Sequence, residues 1–430
     1  MAQNPARKQK RKTFTKEELQ ELSKEELISR VLQLEAYNTQ LKCSLTKRLS
    51  EVENTVSIEE AKRKRAFDFS SCIKRHIMLK VLYLGWNYQG LATQEDSTKT
   101  IEHELFAALY KTCLVESRET ANYHRCGRTD KGVSAFCQAF TLDVRSNLTE
   151  EEVHSGSTNS ELPYPKLLNR VLPSDIRVLS WTPVPQGFSA RFDCKSRTYK
   201  YFFPRGNLDL QRISEATCYL VGSHDFRNLC KMDVKNGVIN YIREILSIEL
   251  KVVSEDPAKV VSYDVCVLTV KGKGFLWHQI RCIVGVLFLI GQGKEEPTVI
   301  KDLLNVDINP QKPQYCLANE VPLNLFHCEF DEMGEIVDND TLISVIHELQ
   351  RIWTINAVKT TMVRSMLCCL QENIEQNANE QSSCLLDGVK RKVYQPLFER
   401  PKCDSLDERI QHYIKKKKIE LPENERENAK

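Results

Sequence analysis

The stretch "YHRCGRTDKGVSAFCQAFTLDVR", Tyr123 to Arg145, decides how this chain is read. Its second part, "FCQAFTLDVR", reads as a strand rich in apolar and β-branched residues. The first part carries Cys126 and Gly127 on one side and Gly132 on the other, so a tight loop is expected to lead into that strand. Asp130 lies in the loop between Arg128 and Lys131. Positive neighbours favour the ionised carboxylate. A carboxylate on a rigid loop beside a strand can act as nucleophile or base. Most Asp-Lys-Gly tripeptides are only turns, so on the loop alone the surface-turn reading prevails over a reactive group.

Working outward, "HIMLKVLYLG" (His76–Gly85), "SRTYKYFFP" (Ser196–Pro204) and "YDVCVLTVKG" (Tyr263–Gly272) read as further strands. "TIEHELFAALYKTC" places Ile101, Leu105, Ala108 and Leu109 at helical spacing. "WHQIRCIVGVLFLIGQG" reads as a buried helix closed by Gly291, and helices are expected at "EPTVIKDLLN" and "TLISVIHELQRIW". Strands and helices alternate without a regular βαβ rhythm. The expected fold class is therefore α+β, two α/β lobes with mainly antiparallel sheet flanked by helices. We expect a first lobe carrying the Asp loop at 70–205 and a second at 206–370. A linker and basic tail would follow at 371–430, and "LTEEEVHSGSTNSEL" and "ENIEQNANEQSS" read as flexible insertions.

Residues 1–65 read as a basic, helical or coiled-coil extension. Thr15-x-x-Glu18 and Ser23-x-x-Glu26 are capping-box patterns. Leu27, Val31, Leu34, Asn38, Leu41 and Leu45 alternate spacings of four and three, an a/d seam with Asn at one a position, or else one face of a single helix on its own domain. These 65 residues hold fifteen Lys/Arg against ten Asp/Glu, a net of +5 that leaves −2 for the rest. Any nucleic-acid attraction must then come from local clusters and the tails. "RKQKRK" (Arg7–Lys12), "KRKR" (Lys62–Arg65) and "KKKK" (Lys415–Lys418) are such clusters, and the first two suit nuclear import.

Composition narrows the chemistry. The longest apolar run, Cys282–Ile290, is too short to span a bilayer, and no apolar segment follows the basic N-terminus as a secretory signal would need. The sixteen cysteines include no C-x-x-C pair, which argues against a zinc site or a disulfide framework and for reduced thiols. A Walker P-loop, H-E-x-x-H and G-x-S-x-G are absent, and "GKGFLW" lacks the third glycine of a dinucleotide loop. The expected chemistry uses side chains alone, with no cofactor and no metal.

Two further clusters could serve Asp130. "FSARFDCKSRTYKYFF" interleaves Arg191, Lys195, Arg197 and Lys200 with Phe192, Tyr199, Tyr201 and Phe203, a pattern suited to phosphate contacts and base stacking. Tyr201 and Phe203 are expected in the core. Arg281 heads a strongly apolar helix, and a buried arginine needs a carboxylate or a route to solvent. A pair with Asp130 would satisfy both. His278 reads as structural.

"RCGRTDKGVSA", "NRVLPSDIRV", "FSARFDCKSRTYKYFF", "GSHDFRNL" and "GFLWHQIRCIVGVL" occur together over residues 76–330. In this the chain resembles the tRNA pseudouridine synthase A family. "HDFRNLCKMD", "NPQKPQY" and "YQPLFERPKC" resemble its eukaryotic branch, which modifies positions 38 and 39 of tRNA. The resemblance implies a pseudouridine synthase fold and a cofactor-free isomerase converting uridine to pseudouridine in the anticodon stem-loop. It implies Asp130 as the catalytic residue, Arg281 as its charge partner and Tyr199 stacked on the target uracil. Arg128 would help extrude the nucleotide, and Leu323 of "VPLNLF" would line the pocket. It implies tRNA as partner, a homodimer, and a nuclear location with the cytoplasm as the alternative. Rival readings are a synthase for other positions or RNAs, a non-catalytic tRNA-binding or chaperone protein on the same fold, and a coiled-coil adaptor.

Overall fold

The computed structural model describes residues 67–94, 97–253, 263–373, 381, 383–387 and 393–416, together with Ser23, Leu27 and Val31. Met1–Asp68 and Phe69–Lys430 form two separate units. In the first, Leu27 and Val31 are helical and exposed, and the Leu27 N–H donates to the Ser23 carbonyl at 3.0 Å. The other heptad positions, the Thr15 capping box and both N-terminal basic runs lie outside the described residues.

The second unit is organised by one nine-stranded sheet. In chain order its elements begin with β1 (Lys74–Tyr83), α1 (Ile101–Lys111), β2 (His124–Arg125), β3 (Ser134–Arg145), α2 (Tyr164–Asn169), β4 (Ile176–Pro183) and β5 (Ser196–Pro204). They continue with α3 (Leu210–Cys218), β6 (Gly222–Asp225), β7 (Ile242–Val253), β8 (Val265–Gly272) and α4 (Gln279–Gly291). The last are α5 (Val299–Leu304), β9 (Leu317–Ala318), β10 (Leu323–Glu329), α6 (Asn339–Gln371), β11 (Leu386–Asp387) and α7 (Leu406–Lys415). The sheet order is β4-β1-β3-β10-β5-β8-β7-β6, with β2 on β3, and β9 pairs separately with β11. Pairing is antiparallel except between β10 and β3, which run parallel at Asn324↔Ser134 and Leu325↔Ala135. This is the α+β arrangement expected.

The two halves of the sheet meet at β10. The sequence reading placed Ser196–Pro204 in the first lobe, before a division at residue 205. Its hydrogen bonds instead put it beside β8 and β10, in the second half of the sheet. The expected strands, and the expected helix at Ile101–Leu109, are otherwise where the periodicity put them. The Thr100 side chain caps α1 by accepting from the His103 N–H, and Ile101, Leu105, Ala108 and Leu109 are buried.

Three local expectations are corrected. Every residue of α4 is buried, but Gly291 is its last helical residue and not the left-handed glycine that closes it. The closing glycine is Gly293, with φ +68°. There the Gly293 N–H bonds the Ile290 carbonyl and the Lys294 N–H bonds the Leu289 carbonyl, the Schellman pattern. Gly291 serves packing: a Cβ there would stand 2.7 Å from Ile213 Cδ1. The helix expected at "TLISVIHELQRIW" runs on to Gln371, 33 residues in all. The insertion at 148–162 is anchored, because the Glu161 carboxylate accepts from Arg75, Ser146 and the Asn147 N–H. Of the second insertion, residues 374–380 and 382 lie outside the described residues.

Gly85 ties the end of β1 to the start of β3. Its N–H donates to Ser134 Oγ at 3.0 Å, and a Cβ there would lie 1.9 Å from the Val133 carbonyl oxygen. A backbone carbonyl cannot rotate away as a side chain can. Gly85→Ala is therefore expected to cost at least about 2 kcal/mol, read as a lower urea midpoint, with loop 126–133 disturbed.

Candidate active site

Loop 126–133 is a turn, and it is clamped on several sides. The Val133 N–H donates to the Asp130 carbonyl at 3.2 Å, closing the turn, and Gly132 takes φ +77° within it. Thr129 Oγ1 and the Tyr83 hydroxyl are 2.7 Å apart, and Gln138 Nε2 donates to the Gly127 carbonyl at 3.0 Å. The Leu91 N–H reaches the Thr129 carbonyl at 3.1 Å, and the Gly132 N–H reaches the Tyr88 carbonyl at 3.2 Å. Below the loop, the fully buried Glu102 accepts from Arg118 at 2.8 Å, from the Tyr123 hydroxyl at 3.0 Å and from Arg125. Burial opposes the charge of Glu102, but these donors outweigh it and hold the carboxyl below its usual range. The loop is thus fixed before any ligand arrives.

Asp130 is half-buried at the tip. Trp277 Nε1–H donates to its Oδ1 at 3.2 Å, and His278 Nε2 lies 3.3 Å from its Oδ2. Burial pushes the Asp130 pKa above the usual carboxylate value. The Arg281 charge and the Trp277 hydrogen bond pull it back, Glu320 pushes it up, and Lys231 pulls it down. Burial and the cations Arg281, Lys231 and Lys312 depress His278 to about 4. The imidazole is therefore neutral at pH 7, and its contact with Asp130 is not an ion pair. His278 sits at φ +58°, uncommon for a side chain bearing a Cβ. Its Nδ1 is buried without a hydrogen-bond partner among the described residues. His278 was expected to be only structural; it borders the carboxylate directly.

Arg281 does not pair directly with Asp130. Its Nε donates to the Ala318 carbonyl at 2.7 Å, and its Nη2 donates to Glu320 at 2.8 Å and Asp387 at 2.6 Å. The buried guanidinium needed a carboxylate, as expected, but two others satisfy it. Arg281 lies in the first turn of α4, where the helix dipole disfavours a cation, and two carboxylates offset that. Its charge still acts on Asp130 through space. Glu320 connects the two groups sterically as well, since a Cβ on Gly132 would stand 2.6 Å from Glu320 Cγ.

The other expected site residues distribute as follows. Tyr199, on β5 opposite Leu325 of β10 and Val270 of β8, is buried, and its ring meets Phe275 edge-on at 5.2 Å. Tyr201 and Phe203 are core residues, and the Tyr201 hydroxyl donates to the Asn319 carbonyl. Leu323 is buried at the start of β10, opposite Tyr201. Arg128 is exposed on the loop beside Asp130. Within the basic–aromatic cluster, Arg197 is spent on the carbonyls of Cys126, Arg191 and Lys273, and Lys195 on Asp331. Arg191 and Phe192 remain outward, Phe192 being 76% exposed.

Sequence reasoning missed Trp277, Glu320 and Asp387. Trp277 stood next to a residue already weighed, His278, and is half-exposed with Lys231 Nζ 4.2 Å over its ring. Nothing in the sequence marked Glu320 or Asp387 as partners of Arg281.

Comparison with known proteins identifies the family of the chain. Residues 216–331 match a family model described as tRNA pseudouridine synthase. The chain is 46% identical over 428 residues to a Bos taurus protein named tRNA pseudouridine(38/39) synthase, covering 93% of this chain and 89% of that one. The Homo sapiens protein of that name is 45% identical over 432 residues, with the same coverage. The Saccharomyces cerevisiae protein of that name is 41% identical over 323 residues, covering 72% of this chain and 71% of that one.

Proposed function

The chain belongs to the tRNA pseudouridine synthase family, and we propose that it converts uridine to pseudouridine at positions 38 and 39 of tRNA, with Asp130 as the reacting carboxylate. The observation that carries the site assignment is the placement of Asp130. It stands on a pre-clamped turn, takes a hydrogen bond from Trp277, and has a neutral His278 beside it.

The chemistry needs little else. The N1–C1′ bond of uridine breaks, the uracil turns, and C5 bonds to C1′. The proton on C5 is lost to solvent and N1 regains one, so atoms and electrons balance without a co-reactant. The nucleotide must leave the helical stack, at a cost of a few kcal/mol that pocket contacts offset. Tyr199 gives the freed base a flat aromatic surface, and Leu323 would close the apolar side. Arg128, exposed beside Asp130, would take the space the base vacates. Arg191 and Phe192 offer a phosphate contact and a stacking surface outside the pocket. Attack on the ribose or base, and abstraction of a ribose proton, both require Asp130 to be ionised.

That requirement gives a pH prediction. Rate is lost as pH falls through the Asp130 pKa, which already lies above the ordinary carboxylate value. Trp277→Phe removes a donor that favours the charged form, so the pKa rises further. The acid limb of the single-turnover pH–rate profile is expected to move to higher pH, and an unmoved limb would discount the Trp277 contact.

Position is tested with tRNA transcripts carrying uridine at 38, at 39, or at neither, incubated with the protein and mapped at single-nucleotide resolution. Pseudouridine at 38 and 39 is the expected result. Modification elsewhere would make the chain a synthase of other specificity, and none at all would leave a tRNA-binding protein.

The protein acts as a homodimer in this reading. α6 supports it, because Ile355, Val358, Met362, Met366 and Leu370 recur at spacings of three and four along one exposed face. The basic runs at Arg7–Lys12 and Lys62–Arg65 support a nuclear location.

A further inference from the structure

We propose that Cys126, Cys194 and Cys328 form a structural zinc site that fastens the Asp130 loop to the strand bearing Tyr199. The thiols come from three distant parts of the chain, and their sulfur atoms all lie within 4.8 Å of one another. A tetrahedral zinc with Zn–S bonds of about 2.3 Å places its sulfurs about 3.8 Å apart, so a small contraction assembles the site. All three cysteines are buried, and none is in a disulfide. Thiolates at this spacing are soft ligands that suit zinc.

The surroundings supply a second, independent reason. Arg197 lies on β5 directly opposite Cys328 of β10, and its Nη2 donates to the Cys126 carbonyl at 2.9 Å. Its other partners are the Arg191 and Lys273 carbonyls, and among the described residues it makes no ion pair with a carboxylate. A half-buried guanidinium without a counter-charge is costly. Three thiolates on one divalent zinc carry a net charge of −1, which Arg197 balances. The Cys194 thiol lies 3.3 Å from the Ser196 carbonyl, to which it donates, and a water would take the fourth tetrahedral position on the metal. Three neutral thiols packed as small apolar groups would leave Arg197 unbalanced.

The position gives the site its consequence. Cys126 precedes Asp130 by four residues, while Cys194 lies two residues before β5, which carries Tyr199, and Cys328 lies in β10, paired with β5. No sequence pattern announces this, because the ligands lie at residues 126, 194 and 328 with no C-x-x-C among them. The zinc would bind no substrate; it would hold the reacting loop and the stacking strand at fixed separation. Nothing in this inference depends on which tRNA position is modified.

The test uses the full chain, expressed with zinc and purified without chelators or metal-affinity resin. Elemental analysis should find about one zinc per chain, and zinc-edge X-ray absorption should show about three sulfur neighbours at about 2.3 Å. Cys126→Ser, Cys194→Ser and Cys328→Ser should each lose most of the metal, and Cys266→Ala, a buried cysteine in β8, should keep it. Zinc-free wild-type protein that also fails to bind added Zn2+ under reducing conditions would overturn the proposal. So would bound zinc with only nitrogen and oxygen neighbours, or zinc retained in the triple serine variant. Should the variants fail to fold, the wild-type metal content and absorption spectrum decide alone.

Discussion

Asp130→Asn is expected to lower pseudouridine formation by about 10⁴-fold or more while leaving tRNA affinity nearly unchanged. A loss of that size corresponds to roughly 5.5 kcal/mol of transition-state stabilisation. The substitution is nearly isosteric. The asparagine carbonyl can still accept from Trp277, which now reaches Oδ1 at 3.2 Å, so the clamped turn should persist. What disappears is the negative charge, and with it any capacity to attack carbon or remove a proton. tRNA binding rests on phosphate contacts spread over the surface, to which a carboxylate contributes nothing favourable. Single-turnover tritium release from [5-³H]uridine-labelled tRNA measures the rate, and filter binding at fixed salt measures the affinity. A parallel fall in both would point to a collapsed loop instead of missing chemistry.

The second large effect is expected for Arg281→Leu. The side chain is buried and serves two carboxylates and a carbonyl. Its removal leaves Glu320 and Asp387 facing each other without a counter-charge. Breaking a fully buried pair costs about 3–5 kcal/mol. Asp387 is 39% exposed and partly screened, so about 2 kcal/mol is the better expectation. Asp130 also loses the strongest influence holding its pKa down, while Glu320 continues to push it up. The residual activity should therefore fall away at higher pH than in the wild type. Arg281→Lys keeps the charge and should restore the acid limb more fully than the stability, because a lysine cannot fork between two carboxylates. Urea unfolding and the pH–rate profile read the two effects separately. An Arg281→Leu protein as stable as wild type, with an unmoved acid limb, would remove Arg281 from the account.

The strands and buried helices were legible because their periodicity survives in a single sequence. β5 sets Tyr199, Tyr201 and Phe203 at alternate positions on one buried face, with the half-buried Lys200 and the exposed Phe202 between them. α6 was seen only in part. The pattern after Trp353 carries apolar residues on an exposed face, which resembles neither a buried helix nor a polar one. The helix-closing glycine was misplaced by two residues, since "GQG" offers two candidates and only the backbone selects Gly293. At the site, buried-charge physics required a carboxylate for Arg281 but could not identify it. Asp387 lies 106 residues away along the chain, in a short strand paired with β9. Trp277 reaches Asp130 across 147 residues, a contact that depends on the turn before α4. The cysteine cluster was invisible for the same reason, because its ligands converge only when β5 and β10 pair.

The central claim is that this chain isomerises uridine in tRNA and does so at Asp130. Nucleotide-resolution mapping of one tRNA after incubation with wild-type or Asp130→Asn protein, at matched tRNA occupancy, tests it most directly. The account predicts pseudouridine at positions 38 and 39 with the wild type and none with the variant. Pseudouridine formed by the variant, or none formed by the wild type, would contradict it.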